Sequence, residues 1–318
     1  MIPLTRPGKT TVARIYANFL GSVGVLPGSC FVESTGSELA NEGVSGCQKR
    51  INNILNGGGG VLFIDEAYQL TESQSQGKQA INYLLAEVEN LTGKMAVILA
   101  GYRTHMDKLL QHNPGLRSRF PNEFKFNDYE DEELCQIFQY RLDQTYKGKM
   151  KVEGGTDGLY SRIVSRRVGR GRGREGFANA RAVENICSRI YDRQATRLKR
   201  VRKMQSVVDD LLLTKEDLIG PEPSQALQSS FAWQDLQTMI GLDSVKKTVK
   251  ALLDSLQYNY HRELQEKPPV DYMLNRVFLG SPGTGKTSVA KLYGQILVDI
   301  GMLSNGECMY TTQYKVSC

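Results

Sequence analysis

The feature that most limits how this chain can fold is that it repeats itself. Gly8-Lys9-Thr10-Thr11-Val12-Ala13-Arg14-Ile15-Tyr16 recurs as Gly285-Lys286-Thr287-Ser288-Val289-Ala290-Lys291-Leu292-Tyr293. The offset of 277 residues also aligns Leu20 with Leu297, Gly24 with Gly301 and Leu26 with Leu303. Two copies of one module therefore lie in tandem. Within 318 residues both are expected to be incomplete. The first lacks its beginning, and the second runs out soon after the repeat, in the dissimilar stretch Met309–Cys318.

Between the repeats the hydrophobic pattern alternates between helix and strand. Residues 9–23 and 47–56 are predicted helices, the second ending at Gly57-Gly58-Gly59-Gly60. Val61-Leu62-Phe63-Ile64 is a short apolar run between glycines and acids, as a buried parallel strand requires. A helix over 77–90 and a strand over 95–100 continue the alternation, which predicts a doubly wound parallel sheet. From about residue 131 the pattern is helical, with helices at 131–146, 157–168 and 178–203 forming a small all-helical lid. Pro221-Glu222-Pro223-Ser224 marks a linker. Helices near 233–265 follow, and a strand near Arg276–Leu279 leads into the second repeat. The expected division is an α/β core over 1–130, its lid over 131–220, and the start of a second module over 221–318.

The chemistry-bearing residues sit at the ends of these elements. Gly280-Ser281-Pro282-Gly283-Thr284-Gly285-Lys286-Thr287 matches GxxxxGK[ST] in full, between a strand and a helix. Its glycines let successive backbone N–H groups wrap a phosphate at the helix N-terminus, with Ser288 next in the first turn. Lys286 is placed to reach the β- and γ-phosphates of ATP, and the Thr287 hydroxyl to ligate Mg2+. In the first copy only Gly8, Lys9 and Thr10 keep the pattern. Pro3 replaces the first glycine and Arg6 stands where Gly283 stands. Proline has no N–H and cannot reach positive φ, so part of the cradle is lost.

The first copy carries the hydrolytic half instead. Leu62-Phe63-Ile64-Asp65-Glu66 is an apolar strand ending in two carboxylates. Asp65 is expected to hold the Mg2+ shell, as Thr10 and Thr287 would, and Glu66 to orient and polarise the attacking water. A strand ending in a solvated acidic turn is the plainer alternative. Arg119, in Asn113-Pro114-Gly115-Leu116-Arg117-Ser118-Arg119-Phe120, can neutralise phosphate charge on a neighbouring subunit. Arg181 opens the lid helix and can reach back over a nucleotide, or be an ordinary first-turn residue.

Composition excludes several other classes. No apolar run approaches the roughly 18 residues of a membrane span. Six cysteines without CxxC spacing point to reduced thiols in an intracellular, cytoplasmic protein. Residues 151–203 hold 15 lysines and arginines against 5 acids, a block that contacts nucleic acid or forms solvated helix faces. Gly169–Arg174 has RGG character but no interleaved aromatics, so a flexible solvated loop is expected and nucleic acid is not the expected partner. The basic, acid-free start of the chain resembles a transit peptide, but the repeat assigns it to the helix of a shortened module.

Taken together, these motifs resemble the AAA+ ATPases of the CbbX type, in particular tandem-repeat versions found in fungi. The resemblance rests on Glu33–Ala40, Val61–Gln69, Leu84–Gly93, Leu99–Tyr102, Asn113–Phe120 and Asn179–Val183, and spans roughly residues 7–308. It implies an AAA+ core with a helical lid, Arg119 as an arginine finger and Arg181 as a second sensor. It also implies ring oligomers that use ATP to remodel a protein client, one branch acting on Rubisco. Two positions depart from the pattern: Ala100-Gly101-Tyr102 occupies the place of a polar first sensor, and Gly36–Gly46 has no aromatic for a pore loop. The competing expectation is a nucleotide-binding or scaffold protein without hydrolysis, because neither copy is complete.

Overall fold

The computed structural model describes residues 8–72, 75–112, 114–174, 176–228, 230–271 and 273–300. Pro3, Arg6, Asn113 and the 301–318 stretch lie outside the described residues. The chain divides into a unit ending at Asn127 and a unit beginning at Asp128.

The first unit runs α1 (Lys9–Ser22), β1 (Cys30–Thr35), α2 (Gly36–Asn56), β2 (Gly60–Asp65), α3 (Gln69–Glu72), α4 (Ser75–Asn90), β3 (Met95–Leu99), α5 (Arg103–His112) and α6 (Pro114–Arg119). Its three strands are parallel in the order β1-β2-β3. Alternation along β2 explains the double winding, because successive side chains point to opposite faces. Val61 and Phe63 face α1, packing with Ala13, Ala17 and Leu20. Leu62 and Ile64 face the other way, into a core built by α2 and α4 around Leu39, Ile54, Leu84 and Leu109. Every apolar residue of the Val61–Ile64 run is fully buried. Both faces of the sheet are therefore covered.

Two elements differ from the sequence reading. The strand Cys30–Thr35 was not foreseen. It lies at one side of the three-stranded order and is only half-buried, so polar Glu33, Ser34 and Thr35 break the apolar run. The helix expected over 47–56 starts at Gly36. Thr35 and Glu38 form a reciprocal capping box there, in the Thr-x-x-Glu spacing that starts helices. Residues 36–46, the expected pore-loop region, are consequently helical, with a kink where Gly43 leaves helical geometry.

The second unit contains α7 (Asp131–Tyr146), β4 (Lys151–Val152), α8 (Leu159–Gly169), α9 (Ala180–Lys203), β5 (Leu212–Leu213), α10 (Lys215–Ile219), α11 (Pro223–Gln228), α12 (Phe231–Thr238), α13 (Asp243–Leu264) and α14 (Lys286–Asp299). Helices α7 to α10 surround Phe138, Leu142, Ile163, Val183 and Ile190. The lid is helical but not purely so, since β4 and β5 pair in a two-residue parallel ladder. Arg197 closes the ladder's end, donating to both oxygens of the fully buried Asp217 at 3.0 Å. The strand expected near Arg276–Leu279 is absent. That segment is unpaired and Val277 and Leu279 are exposed. Among the described residues of this unit only β4 and β5 form a ladder, so nothing flanks it as a parallel strand requires.

Arg170 and Arg172 do not belong to a flexible solvated loop. Arg172 binds Asp131 at 2.7 Å and the Tyr129 carbonyl at 2.8 Å. Arg170 pairs with Glu263 of α13, as Arg167 does at 2.6 Å. Glu266 takes Arg162 and Arg166 at 2.9 Å each. The basic block is thus largely neutralised within its own unit, and α13 is tied to α8. Burial alone would push Glu263 up, but the hydrogen bonds and fields of Arg167 and Arg170 outweigh it and hold the carboxyl below its ordinary value.

A depressed folded-state value means the pairing stabilises above the ordinary glutamate value and is lost as pH falls through the lower one. Glu263→Gln should cost about 1.5–3 kcal/mol at neutral pH. Denaturant titrations should show that deficit shrinking as the pH drops below about 4.

Candidate active site

The first unit gathers its candidate residues on one edge of the sheet. In a parallel α/β sheet the carboxyl ends of the strands form the ligand crevice. β2 delivers Asp65 to that edge opposite Thr35, and Ile64 lies opposite Leu99. The chain then turns sharply. Glu66 takes φ 49°, in the left-handed region that costs a residue with a side chain about 1 kcal/mol or more. The turn is held from several sides. Asp65 Oδ1 accepts the Glu66 N–H at 3.0 Å, Ala67 N–H donates to Ala100 at 2.9 Å, and Gln69 N–H donates to the Glu66 carbonyl at 3.0 Å. Gln69 Nε2 also donates to the Glu66 carboxylate at 2.7 Å, which fixes the direction of that carboxylate.

Lys9 reaches the same edge from the first turn of α1. Its ammonium donates to the Gly101 carbonyl at 3.0 Å and lies 5.1 Å from the centre of the Tyr102 ring. Gly101 directly follows Ala100, the partner of Ala67, so Lys9 and the Asp65–Glu66 turn are neighbours through β3. Gly8 caps α1 in an extended conformation, with no side-chain cap. Gly8 itself puts no side chain over the first-turn N–H groups, the arrangement that suits an anion at a helix N-terminus. Phosphate oxygens are stronger acceptors for an ammonium than a carbonyl is, and Thr10 sits in the same half-buried turn. Beneath Tyr102, Tyr68 stacks on His105 at 4.6 Å. Burial, with Glu66 nearby, raises the Tyr68 phenol above its ordinary value.

The donor set fits Mg2+ carried with a nucleotide. Among the described residues no group of three or more His, Cys, Asp or Glu side chains could hold a metal alone. Mg2+ usually takes only one or two carboxylates, completing its shell with water and substrate phosphates. Asp65, a single carboxylate at the end of β2, is compatible with that chemistry.

Arg119 is less free than its expected role requires. Its guanidinium pairs with Glu89 of α4 at 2.9 Å and donates to Gly115 at 3.1 Å, leaving Nε buried without a partner.

In the second unit, Arg181 stands exposed on the first turn of α9. Asn179, at φ 47°, positions that turn. It accepts the Tyr129 N–H at 2.9 Å and donates to Asp128 at 2.8 Å. The bond from Asn179, followed by one from the Gly173 N–H, holds Asp128 below its ordinary value. Gly280–Thr287 forms a loop with Gly283 and Gly285 both at φ 81°, the left-handed conformation that glycine supplies without strain. Lys286 folds over it, donating to Gly280 at 2.8 Å and Ser281 at 2.7 Å. Thr287 and Ser288 are exposed at the start of α14.

Sequence reasoning missed Gln69, Gly36, Gly101 and the Asn179–Asp128 pair. The usable signal near Gly36 is the Thr-x-x-Glu spacing of Thr35 and Glu38, which starts a helix there. A Cβ on Gly36 would lie 2.3 Å from the Glu66 carbonyl oxygen and 3.2 Å from Ala67 Cα. Both are backbone atoms and cannot swing away.

Residues 7–128 match the model of the ATPase family associated with various cellular activities, AAA, and residues 130–229 match the AAA lid domain. An α/β core with a basic residue and two carboxylates on one edge, followed by a helical lid, is the architecture of that class. The chain belongs to the AAA family of ATPases, a class of ATP hydrolases. It is similar to Protein CbbX of Cereibacter sphaeroides, at 34% identity over 77% of this chain and 74% of that protein. It is 33% identical to a CfxQ homolog of Trieres chinensis, over 70% of this chain and 73% of the other. The chloroplastic ribulose bisphosphate carboxylase/oxygenase activase of Cyanidioschyzon merolae is 34% identical, over 70% and 72% respectively.

Gly36→Ala should displace the Glu66 turn. ATP turnover is expected to fall about a hundredfold, the scale of an ångström's misplacement, while nucleotide affinity measured by titration changes little.

Proposed function

We propose that this chain couples ATP hydrolysis at the edge of the first unit's sheet to remodelling of a protein client, as one subunit of a ring. The observation that carries the reading is the Glu66 carboxylate. It is held by Gln69 at 2.7 Å beside Asp65, on the edge that Lys9 reaches. Mg2+, when bound, would neutralise charge on the β- and γ-phosphates. Lys9 places its ammonium among the same oxygens, and Asp65 with Thr10 holds the metal's inner water. Glu66 orients a water whose oxygen bonds to the terminal phosphorus as the bond to ADP breaks, and it accepts the water's proton. Arg119 acts on a neighbouring subunit's site once released from Glu89, and Arg181 senses the nucleotide from the lid.

The name of the Cyanidioschyzon merolae relative states a protein as the object of its activity, which supports a protein client here. The four described cysteines are all free, and burial raises the thiols of Cys47 and Cys187 to about 11 and about 12. Cysteines without disulfide partners among the described residues support a reducing, cytoplasmic setting. No helix among the described residues is long and apolar enough to cross a membrane.

A second reading is favoured by the Gly280–Ser288 loop, which has the positive-φ glycines of a phosphate cradle. On this reading a tandem, fungal-like second module binds nucleotide without turnover. Purified chain should show Mg2+-dependent phosphate release that Glu66→Gln lowers by about three orders of magnitude, the scale of a lost catalytic group. Lys9→Ala should abolish release as well. Nucleotide binding lost only in Lys286→Ala, with no turnover in the parent chain, would establish the second reading instead.

A further inference from the structure

Asn179 holds a backbone conformation that usually belongs to glycine, and it does so just ahead of Arg181. The Arg181 N–H donates to the Ala178 carbonyl at 2.9 Å, which closes a turn with Asn179 as its second residue. Asn179 there takes φ 47° and ψ −115°. That is the geometry type II′ turns give to their second position, where glycine is the usual occupant. A residue with a side chain persists in such a conformation only when its surroundings over-determine it.

The surroundings do so through the side chain. Asn179 Oδ1 accepts the Tyr129 N–H at 2.9 Å, and Nδ2 donates to Asp128 at 2.8 Å. The other Asp128 oxygen accepts the Gly173 N–H at 3.0 Å, and Arg172 donates to the Tyr129 carbonyl at 2.8 Å. Those bonds to Asp128 keep it ionised at neutral pH, so the one from Asn179 is charge-assisted. Asp128 and Tyr129 are the first two residues of the second unit. On the inner side of the turn, Ala180 and Val183 are buried in the core of α7 to α10. Arg181 itself stays exposed, whereas Arg172 and Arg197 of the same basic block are paired with acids.

Glycine would form this turn without strain. What asparagine adds is a tie between the turn and the segment through which the chain enters the lid. We propose that Asn179, anchored by Asp128, is a positioning residue for Arg181, fixing the arginine's aim to that entry segment. The inference rests on the reading of Arg181 as a residue that senses nucleotide. A displacement of Asp128 and Tyr129 then carries the Arg181 turn with it, and the arginine meets a phosphate from a turn that is already ordered.

The test exchanges the two side chains in the full chain, in the Lys286→Ala background so that the 280–288 loop does not contribute. Affinity for a fluorescent ATP analogue with Mg2+ is measured by titration, and amide exchange over residues 179–183 is followed without nucleotide. Asn179→Asp sets two carboxylates against each other. Affinity should fall about tenfold and exchange should quicken by about the same factor. Adding Asp128→Asn restores a donor facing an acceptor, and both readouts should return to within about threefold of the parent. Arg181→Ala should also weaken binding, and in that background Asn179→Asp should change affinity by less than about twofold. If Asn179→Asp folds poorly, Asn179→Gly keeps the turn without the tie, and should weaken binding with far-ultraviolet circular dichroism unchanged. Binding that falls with Arg181→Ala but not with Asn179→Asp or Asn179→Gly would overturn the proposal and leave the reading of Arg181 standing. A paired exchange that restores neither readout would do the same. Binding indifferent to Arg181→Ala would remove that reading, and the proposal with it.

Discussion

The rest of the first unit depends on the burial of β2 on every side. Val61 to Ile64 have no access to solvent, and the strand pairs in parallel with β1 and β3. A strand held on both faces and both edges cannot slide, because a one-residue slip would turn every side chain to the wrong layer. Its carboxyl end is therefore fixed in place beside the crevice. Asp65 and Glu66 occupy that point, and the left-handed turn at Glu66 persists because Ala67, Ala100, Gln69 and Asp65 all bind it.

From that fixed point the local choices follow. Gly36 begins α2 without a Cβ because the Glu66 carbonyl fills the space. Thr35 and Glu38 cap α2 at the same spot, so the end of β1 and the turn after β2 are built against each other. Lys9 comes to the edge through the opposite layer, carried by a helix that Ala13 and Ala17 let approach the sheet closely. In the second unit, carboxylates play the organising part. Asp217 fastens α9 to α10 through Arg197, and Glu263 fastens α13 to α8 through Arg167 and Arg170.

Much of this was legible in the sequence because the relevant signals are local. Val61–Ile64 between glycines and acids marks the buried strand, and Asp65–Glu66 marks the acidic turn at its end. The long helices at 131–146 and 178–203 follow from periodicity. What escaped was non-local. β1 is a strand because β2 lies beside it, not because Cys30–Thr35 is apolar. Arg170 and Arg172 looked like a solvated run, since their acidic partners lie tens of residues away in the chain. The opposite error occurred near Arg276–Leu279, where apolar residues suggested a strand that no neighbouring strand pairs with. The kinship to CbbX-like proteins was visible in the motifs, and the match to the AAA core and lid agrees with it.

The central claim is that the nucleotide acts at the edge shared by Lys9, Asp65 and Gly101. Hydrogen–deuterium exchange of the full chain, with and without a non-hydrolysable ATP analogue and Mg2+, tests it directly. The account predicts slower amide exchange in the first turn of α1 and across residues 65–67 and 100–102. Protection confined to the 280–288 loop, with those segments unchanged, would contradict it.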